Sequence, residues 1–330
     1  KTQKKKNCTY LIGNNLRGNY SLHTLLENSD MFISRASHIL RLSVFARHLH
    51  LSPIATMSSS SSVAPSSSSS SSSVASAGSD LDHLRTQVGD HVPSNLAQTV
   101  QVEATAASGH SGTVLLLHGL GDSGAGWLDA AQYLSTRLPH LRFVLPTAPQ
   151  RPVTLNMGMR MPAWYDLKGL DDRDLEHCEG IDTSASTLFY HLVKEAERLQ
   201  EKIADDSKSP SSRIVVGGFS QGAATSLYAG YQCAAPLAGV FALSGYLPKP
   251  AQLAARLESG RNRDTPLLMC HGTADPMVRF EWGKRSFEAL QAAGVKGEFK
   301  AYRGMQHSAC VEELDDLCAF LKERLPPLKK

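Results

Sequence analysis

The stretch Gly218-Phe219-Ser220-Gln221-Gly222 lies between an apolar run, Ile214-Val215-Val216, and a helix-like segment, residues 223–231. A serine flanked in this way is typical of a nucleophile elbow, a turn in which a strand ends and a helix begins at once. The turn exposes the serine hydroxyl over the helix N-terminus, and its glycines let backbone segments pass without a Cβ clash. Because such a pattern also arises by chance, the neighbouring motifs decide how it is interpreted.

Two motifs follow the elbow in the chain. Asp275 comes just after the apolar run 266–270, and His307 comes after a strand-like run, 298–302. Serine, aspartate and histidine in this order are typical of the α/β-hydrolase topology. We therefore predict Ser220 as nucleophile, His307 as general base and Asp275 as the group that orients the imidazole. Glu281 is the nearest alternative to Asp275 in this last role.

A third motif lies upstream of the elbow. The buried-strand run 113–117 leads into His118-Gly119-Leu120-Gly121-Asp122. The α/β-hydrolase fold places here the loop that completes an oxyanion hole. The backbone N–H groups of Leu120 and Gln221 are the predicted donors to a tetrahedral oxyanion. For His118 itself, packing or loop hydrogen bonding is the expected role.

Composition and charge divide the chain of 330 residues into two parts. Residues 1–56 carry 8 Lys/Arg and 2 Asp/Glu, so the overall charge of +3 comes from this basic leader and the remainder is net negative. A nucleic-acid partner therefore has no support in the folded part. The 6 cysteines show no paired spacing, and the sequence indicates neither a metal site nor a cofactor. No apolar run is long enough for a transmembrane segment.

The predicted domain boundary lies at residue 91. Residues 1–91 are expected to be a disordered leader that contains a poly-Ser tract, and residues 92–330 an α/β-hydrolase domain. From Met31 to Ser79 the chain has no acidic residue, while arginines alternate with apolar residues, which is the composition of a transit peptide. We expect a cytoplasmic enzyme, or a plastid or mitochondrial one if the leader from Met31 is a transit peptide. Initiation at Met57 is the alternative.

From residue 92 onward, strand and helix signals alternate, as in a mostly parallel sheet covered by helices on both faces. Asp182 is the predicted N-cap of the helix 183–204, and residues 146–180 are predicted to form loops over the site. The other predicted helices are 125–137, 222–233, 281–293 and 311–325, and the predicted strands are 113–118, 142–145, 213–218, 239–244, 266–271 and 297–302.

Over residues 110–326 the chain resembles the acyl-protein thioesterase family, also described as cytosolic carboxylesterase or lysophospholipase, and specifically its plant-type members with an N-terminal leader. The resemblance is carried by the elbow, by 118–122 and by three further stretches: 148–158, Met161-Pro162-Ala163-Trp164-Tyr165-Asp166 and Gly304-Met305-Gln306-His307-Ser308. It implies a cofactor-free serine hydrolase, monomeric or weakly dimeric, that removes long-chain S-acyl groups from protein cysteines. Activity on small esters and lysophospholipids, and transient contact with a membrane surface, are implied as well.

Analogy with that family also suggests which residues line an acyl channel. Trp164 is expected to pack in the core as well as, or instead of, lining the channel. Lys168 departs from the family pattern, since an apolar residue is expected at its position. The candidates are Leu120, Trp164, Leu167, Lys168, Met277 and Val278.

Two other functions remain open at this point. An esterase for short acyl groups, including a protein deacetylase, would use the same nucleophile and oxyanion hole, and only the depth of the channel would distinguish it. A non-catalytic ligand receptor on the same fold could retain all three residues, because a fold does not dictate its function.

Overall fold

The structure, a computed structural model, describes residues 10–11, 77–171, 177–203, 209–257 and 260–328. A sheet of seven strands runs through the domain in the order β10-β9-β8-β7-β3-β4-β2. Strand β2 pairs antiparallel with β4, and the other neighbours pair in parallel. The predicted α/β-hydrolase architecture, a mostly parallel sheet with helices on both faces, is therefore confirmed.

The elements are numbered in chain order over the described residues. The helices are α1 (Ala77–Val88), α2 (Leu128–Arg137), α3 (Ile181–Gln200), α4 (Gln221–Gly230), α5 (Pro250–Leu257), α6 (Phe280–Ala292) and α7 (Val311–Arg324). The strands are β1 (Tyr10–Leu11), β2 (Val100–Val102), β3 (Gly112–Leu117), β4 (Leu141–Leu145), β5 (Gln150–Val153), β6 (Met159–Pro162), β7 (Ile214–Phe219), β8 (Gly239–Leu243), β9 (Leu267–Gly272), β10 (Gly297–Tyr302) and β11 (Ala309–Cys310).

The central strands are buried on both faces, which is why they read as continuous apolar runs. Successive side chains of β3 alternate between two hydrophobic clusters, with Leu115 and Leu117 on one face and Val114 and Leu116 on the other. Helices α1, α3, α4, α5 and α6 cover the first face, and α2 and α7 cover the second. The carboxyl ends of β3, β7 and β9 therefore meet at one edge, where such sheets hold their functional loops.

Two local predictions differ from the structure. Helix α3 begins at Ile181 with Gly180 as its N-cap in a left-handed conformation (φ 91°), so Asp182 lies in the first turn instead of capping it. There its carboxylate accepts a hydrogen bond from Tyr228 at 2.6 Å. The segment 146–180 is not loop throughout, because β5 and β6 form an antiparallel hairpin within it.

The predicted domain boundary is also displaced. Helix α1 forms inside the segment predicted to be disordered, and it packs on the domain through Leu81 and Leu84, which are 4% and 0% exposed. Arg85 donates to Glu197 on α3 at 2.9 Å, and Gln87 bonds the backbone beyond α4. Low-complexity composition indicated disorder up to residue 91, but tertiary burial of two leucines orders the last turns of that segment.

The remaining predictions for the leader fall on residues 12–76, which lie outside the described residues; these include the transit-like segment from Met31 and the poly-Ser tract. Strand β1 pairs antiparallel with β11 through Tyr10 and Leu11. In the part of the chain that the structure describes, no helix has the length and apolarity needed to cross a membrane.

Candidate active site

The predicted elbow is present where β7 passes into α4. Ser220 has φ 54° and ψ −118°, a strained conformation for a residue with a side chain, and its N–H donates to the Leu243 carbonyl at 2.9 Å. Glycine is required at 222, because a Cβ there would lie 2.2 Å from the carbonyl oxygen of Leu117. The strain and the close approach together hold the Ser220 hydroxyl at the carboxyl edge of the sheet.

The structure brings the three predicted residues into one chain of hydrogen bonds. His307 Nε2 lies 2.9 Å from Ser220 Oγ, and His307 Nδ1 lies 2.7 Å from Asp275 Oδ2. The imidazole also packs on the Phe219 ring, with the centroids 4.7 Å apart. The fold thus places a hydroxyl on the elbow, a base on a loop and an orienting carboxylate after a strand, in the spatial order that nucleophilic catalysis needs.

Asp275 is buried, and its carboxylate is supplied with donors on both oxygens. Oδ1 accepts from the N–H groups of Met277 and Val278, at 2.8 and 2.9 Å. Burial by itself raises the pKa of Asp275, but hydrogen bonds from His271, His307 and the Met277 backbone outweigh it, so the pKa lies well below its ordinary value. The group is therefore a carboxylate at neutral pH. Glu281, the alternative orienter, is exposed on α6.

Two backbone N–H groups remain for an oxyanion. Gln221 is the first residue of α4, where the helix dipole favours negative charge, and Leu120 belongs to the loop after β3. Within the described residues, neither N–H donates a hydrogen bond to a protein acceptor. The loop lies against the elbow, since a Cβ on Gly119 would be 3.4 Å from the Ser220 Cβ. Both predicted donors are therefore close to the hydroxyl and available to a ligand.

The side chain of Gln221 fixes the loop opposite the elbow. Its amide oxygen accepts from the Trp164 N–H at 2.8 Å, and its amide nitrogen donates to the Tyr165 carbonyl at 2.9 Å. Trp164 is 0% exposed, and its indole Nε1 donates to the His118 carbonyl at 2.8 Å. Trp164 is thus a core residue that supports the loop carrying Leu120, which agrees with the packing role expected from its size.

The other acyl-channel candidates divide by exposure. Leu167 and Val278 are buried, and Leu120 packs on the same hydrophobic cluster with part of its surface open. Met277 is half-buried beside Asp275. Lys168 is exposed, which does not fit a residue whose stem lines a channel wall. The chain runs along the surface there, so that Leu167 points inward and its neighbour outward.

Two histidines at strand ends make the packing and loop hydrogen bonds expected for such positions, but the sequence did not indicate their partners. His271, at the end of β9, lies 3.5 Å from Asp275 Oδ2, and its Nε2 lies 2.8 Å from the Val278 carbonyl. His118 bonds the loop of the predicted oxyanion hole. The only sequence signal was their shared position, a histidine before glycine at a strand end. No cluster of three or more His, Cys, Asp or Glu side chains suited to a metal occurs among the residues described.

Known proteins that are similar to this chain include acyl-protein thioesterases. Acyl-protein thioesterase 1 homolog 1 of Dictyostelium discoideum is 43% identical over 229 residues, which are 69% of this chain and 95% of that protein. Acyl-protein thioesterase 1 of Mycosarcoma maydis is 44% identical over 238 residues, 70% of this chain and 99% of that protein. The crystal structure of Zea mays acyl-protein thioesterase 2 superposes with a TM-score of 0.56 and 36% identity, over 69% of this chain and 98% of that one.

A family model described as phospholipase/carboxylesterase matches residues 98–325, which include the elbow, the aspartate, the histidine and the loop after β3. The match begins after α1, so this helix lies outside the segment shared with the family. The predicted resemblance and the predicted hydrolase class are both confirmed. The chain belongs to the phospholipase/carboxylesterase family of α/β hydrolases.

Proposed function

We propose that this protein is an acyl-protein thioesterase that removes long-chain acyl groups from protein cysteines. The observation that carries the proposal is the hydrogen-bonded chain from Ser220 through His307 to Asp275, beside two backbone N–H groups. Relatives at 43% and 44% identity bear the name acyl-protein thioesterase, and they match along nearly their whole length.

In the proposed mechanism, Ser220 Oγ attacks the thioester carbonyl carbon while His307 Nε2 takes the hydroxyl proton. The carbonyl electron pair moves onto oxygen, and the N–H groups of Leu120 and Gln221 stabilise that oxyanion. Collapse breaks the C–S bond, and the imidazolium returns its proton to the departing sulfur, leaving an acyl-serine. A water molecule, deprotonated by His307, then hydrolyses this ester and regenerates the serine.

A thioester suits this arrangement for a physical reason. The leaving cysteine thiolate has an ordinary pKa of about 8.5, so its departure needs little help from a general acid, whereas an alkoxide needs much more. Selectivity for a particular acyl group must come from the side chains that line the site around the nucleophile. Apolar side chains of the hydrophobic cluster on which Leu120 packs, among them Leu167 and Val278, would favour an aliphatic chain over a charged substrate.

The experiment that tests this function is a chain-length profile with the full-length protein. We would compare kcat/KM for matched p-nitrophenyl esters and S-acyl cysteine peptides, from acetyl to palmitoyl, together with lysophosphatidylcholine. Preference for S-palmitoyl over S-acetyl peptide by at least about tenfold supports the proposal. Preference for acetyl substrates would instead indicate a short-chain esterase or deacetylase. Binding of substrates without turnover would indicate a receptor.

A further inference from the structure

His118 makes contacts that set it apart from an ordinary buried side chain. The ring is 0% exposed and packs beside the Trp164 indole, with the centroids 5.2 Å apart. Its Nδ1 lies 2.6 Å from the carbonyl oxygen of Gly119, and its Nε2 lies 2.9 Å from the backbone nitrogen of Ala148. Both ring nitrogens are therefore engaged by backbone groups of two different loops.

The backbone partners determine which nitrogen carries the proton. The Ala148 N–H can only donate, so Nε2 must be the acceptor. The Gly119 carbonyl can only accept, so Nδ1 must carry the hydrogen. Burial lowers the pKa of His118, which keeps the ring neutral in this tautomer. A charged ring would have to break the bond from Ala148.

The position of the Gly119 carbonyl controls the direction of the next N–H. In a trans peptide the C=O and N–H bonds point in opposite directions, so the carbonyl of Gly119 and the N–H of Leu120 are opposed. His118 Nδ1 and the Asp122 N–H, at 3.2 Å, both contact that carbonyl oxygen and so fix the orientation of the Gly119–Leu120 peptide plane. The direction of the Leu120 N–H, which lies in the same peptide plane, is fixed as well.

We propose that His118 is a positioning residue, which fixes the Gly119–Leu120 peptide so that the Leu120 N–H is aimed at the oxyanion. This inference rests on the proposed hydrolase function and adds a role that the elbow and its histidine partner do not fulfil. The Trp164 indole supports His118 from behind by donating to its carbonyl. Donor orientation, more than substrate binding, should depend on the ring.

Two substitutions separate the two ring contacts. In His118→Asn the amide nitrogen occupies the place of Nδ1 and can still donate to the Gly119 carbonyl. In His118→Gln the amide oxygen takes the place of Nε2, so it can accept from the Ala148 N–H but the hydrogen bond to Gly119 is lost. Loss of an oxyanion donor costs about 10²–10³ in kcat. We expect His118→Gln to lower kcat by ~100-fold with KM within twofold, and His118→Asn to lower kcat by less than ~5-fold. His191→Gln, at a buried histidine on α3, is the control for general destabilisation.

The measurement uses the full-length protein and whichever p-nitrophenyl ester the wild type hydrolyses best. The reverse ranking, equal losses in two folded variants, or near wild-type kcat for His118→Gln would each overturn the inference. If neither variant folds, long-range ¹H–¹⁵N NMR of wild-type protein decides: a proton on Nδ1 of His118 supports the inference and a proton on Nε2 overturns it. Failure of the wild type to hydrolyse any ester or thioester would refute the proposed function instead.

Discussion

His271 Nε2 lies 3.5 Å from the Oδ2 atom of Asp275, and the same oxygen accepts a hydrogen bond from His307. The same ring nitrogen lies 2.8 Å from the Val278 carbonyl, and the Val278 N–H donates back to Asp275 Oδ1. His271 therefore ties the aspartate to the turn that follows it. Contacts with His271 and Val278 hold the carboxylate of Asp275 in place, so its orientation does not depend on the contact with the imidazole of His307 alone.

Asp275→Asn should lower kcat by about 10⁴-fold, because the amide favours the wrong tautomer of His307 while the backbone geometry is retained. Steady-state kinetics on a p-nitrophenyl ester measure this loss. Glu281→Gln is the matched control, since Glu281 is exposed on α6, and its kcat should stay within about twofold of wild type. A larger effect of Glu281→Gln than of Asp275→Asn would show that the orienting group has been misassigned.

Ser220→Ala should abolish both turnover and labelling by a fluorophosphonate probe, because Ser220 Oγ is the proposed nucleophile. Gel fluorescence measures the labelling of wild type and Ser220→Ala, and circular dichroism measures whether both are folded. Ser226→Ala, at a buried serine on the same helix α4, should remain fully labelled. Labelling of the Ser220→Ala protein at another serine would contradict the assignment.

Deletion of residues 1–91 should lower the Tm by about 6–24 °C relative to deletion of residues 1–76. The difference is helix α1, whose Leu81 and Leu84 are buried on the domain. Burial of one leucine contributes about 1.5–3 kcal/mol, and about 2–4 °C of Tm is lost per kcal/mol in a domain of this size. Differential scanning fluorimetry measures the shift.

Measurements of kcat/KM show whether these truncations affect catalysis as well as stability. At 25 °C the kcat/KM of both should stay within about threefold of the full chain, because α1 packs on α3 and not on the elbow. Equal Tm values for the two truncations would mean that the packing of α1 adds nothing to stability. A large loss of kcat/KM on deletion to residue 76 would mean that the leader reaches the site.

Glu313→Gln should stabilise the protein at pH 8 and have little effect near pH 4. Glu313 is fully buried in the first turn of α7, and burial, followed by the nearby charge of Asp316, raises its pKa well above the ordinary value. The folded state thus holds a proton that the unfolded state loses above its pKa of about 4.3, so stability falls as the pH rises from there. An amide has no such proton to lose.

Thermal melts of wild type and Glu313→Gln between pH 4 and pH 8 measure this dependence. The difference in Tm should grow steadily with pH. Glu288→Gln, at an exposed glutamate on α6, provides the comparison for loss of a surface charge. A Tm difference that is constant across this range would show that Glu313 is ionised in the folded protein.

Lys168→Ile should change the ratio of palmitoyl to butyryl kcat/KM by less than about twofold, because Lys168 is exposed and adds no wall to a channel. Leu167→Ala should lower that ratio, since the adjacent leucine is buried in the apolar cluster. The expected loss is about fourfold for each methylene contact that disappears, from ~0.8 kcal/mol per CH₂. A marked rise of the palmitoyl-to-butyryl ratio in Lys168→Ile would show that the lysine side chain contacts the acyl chain.

Much of the fold could be predicted from the sequence. The strands predicted at 213–218 and 239–244 occur at Ile214–Phe219 and Gly239–Leu243, and the helix predicted at 311–325 is Val311–Arg324. Buried parallel strands and amphipathic helices record their environment in the pattern of their own residues. The order of Ser220, Asp275 and His307 was informative for the same reason, because each follows an element that the pattern identifies.

What the sequence by itself determined is therefore local: the strands, the elbow, and which residue types stand at the strand ends. The tertiary structure alone decided that α1 packs on the domain, that Trp164 lies under the oxyanion loop, and that His118 and His271 bond particular backbone groups. Such contacts join positions as far apart as 118 and 164, whose neighbours in sequence carry no periodic signal of the pairing. A buried polar group must find a partner, but only the folded chain determines which one it is.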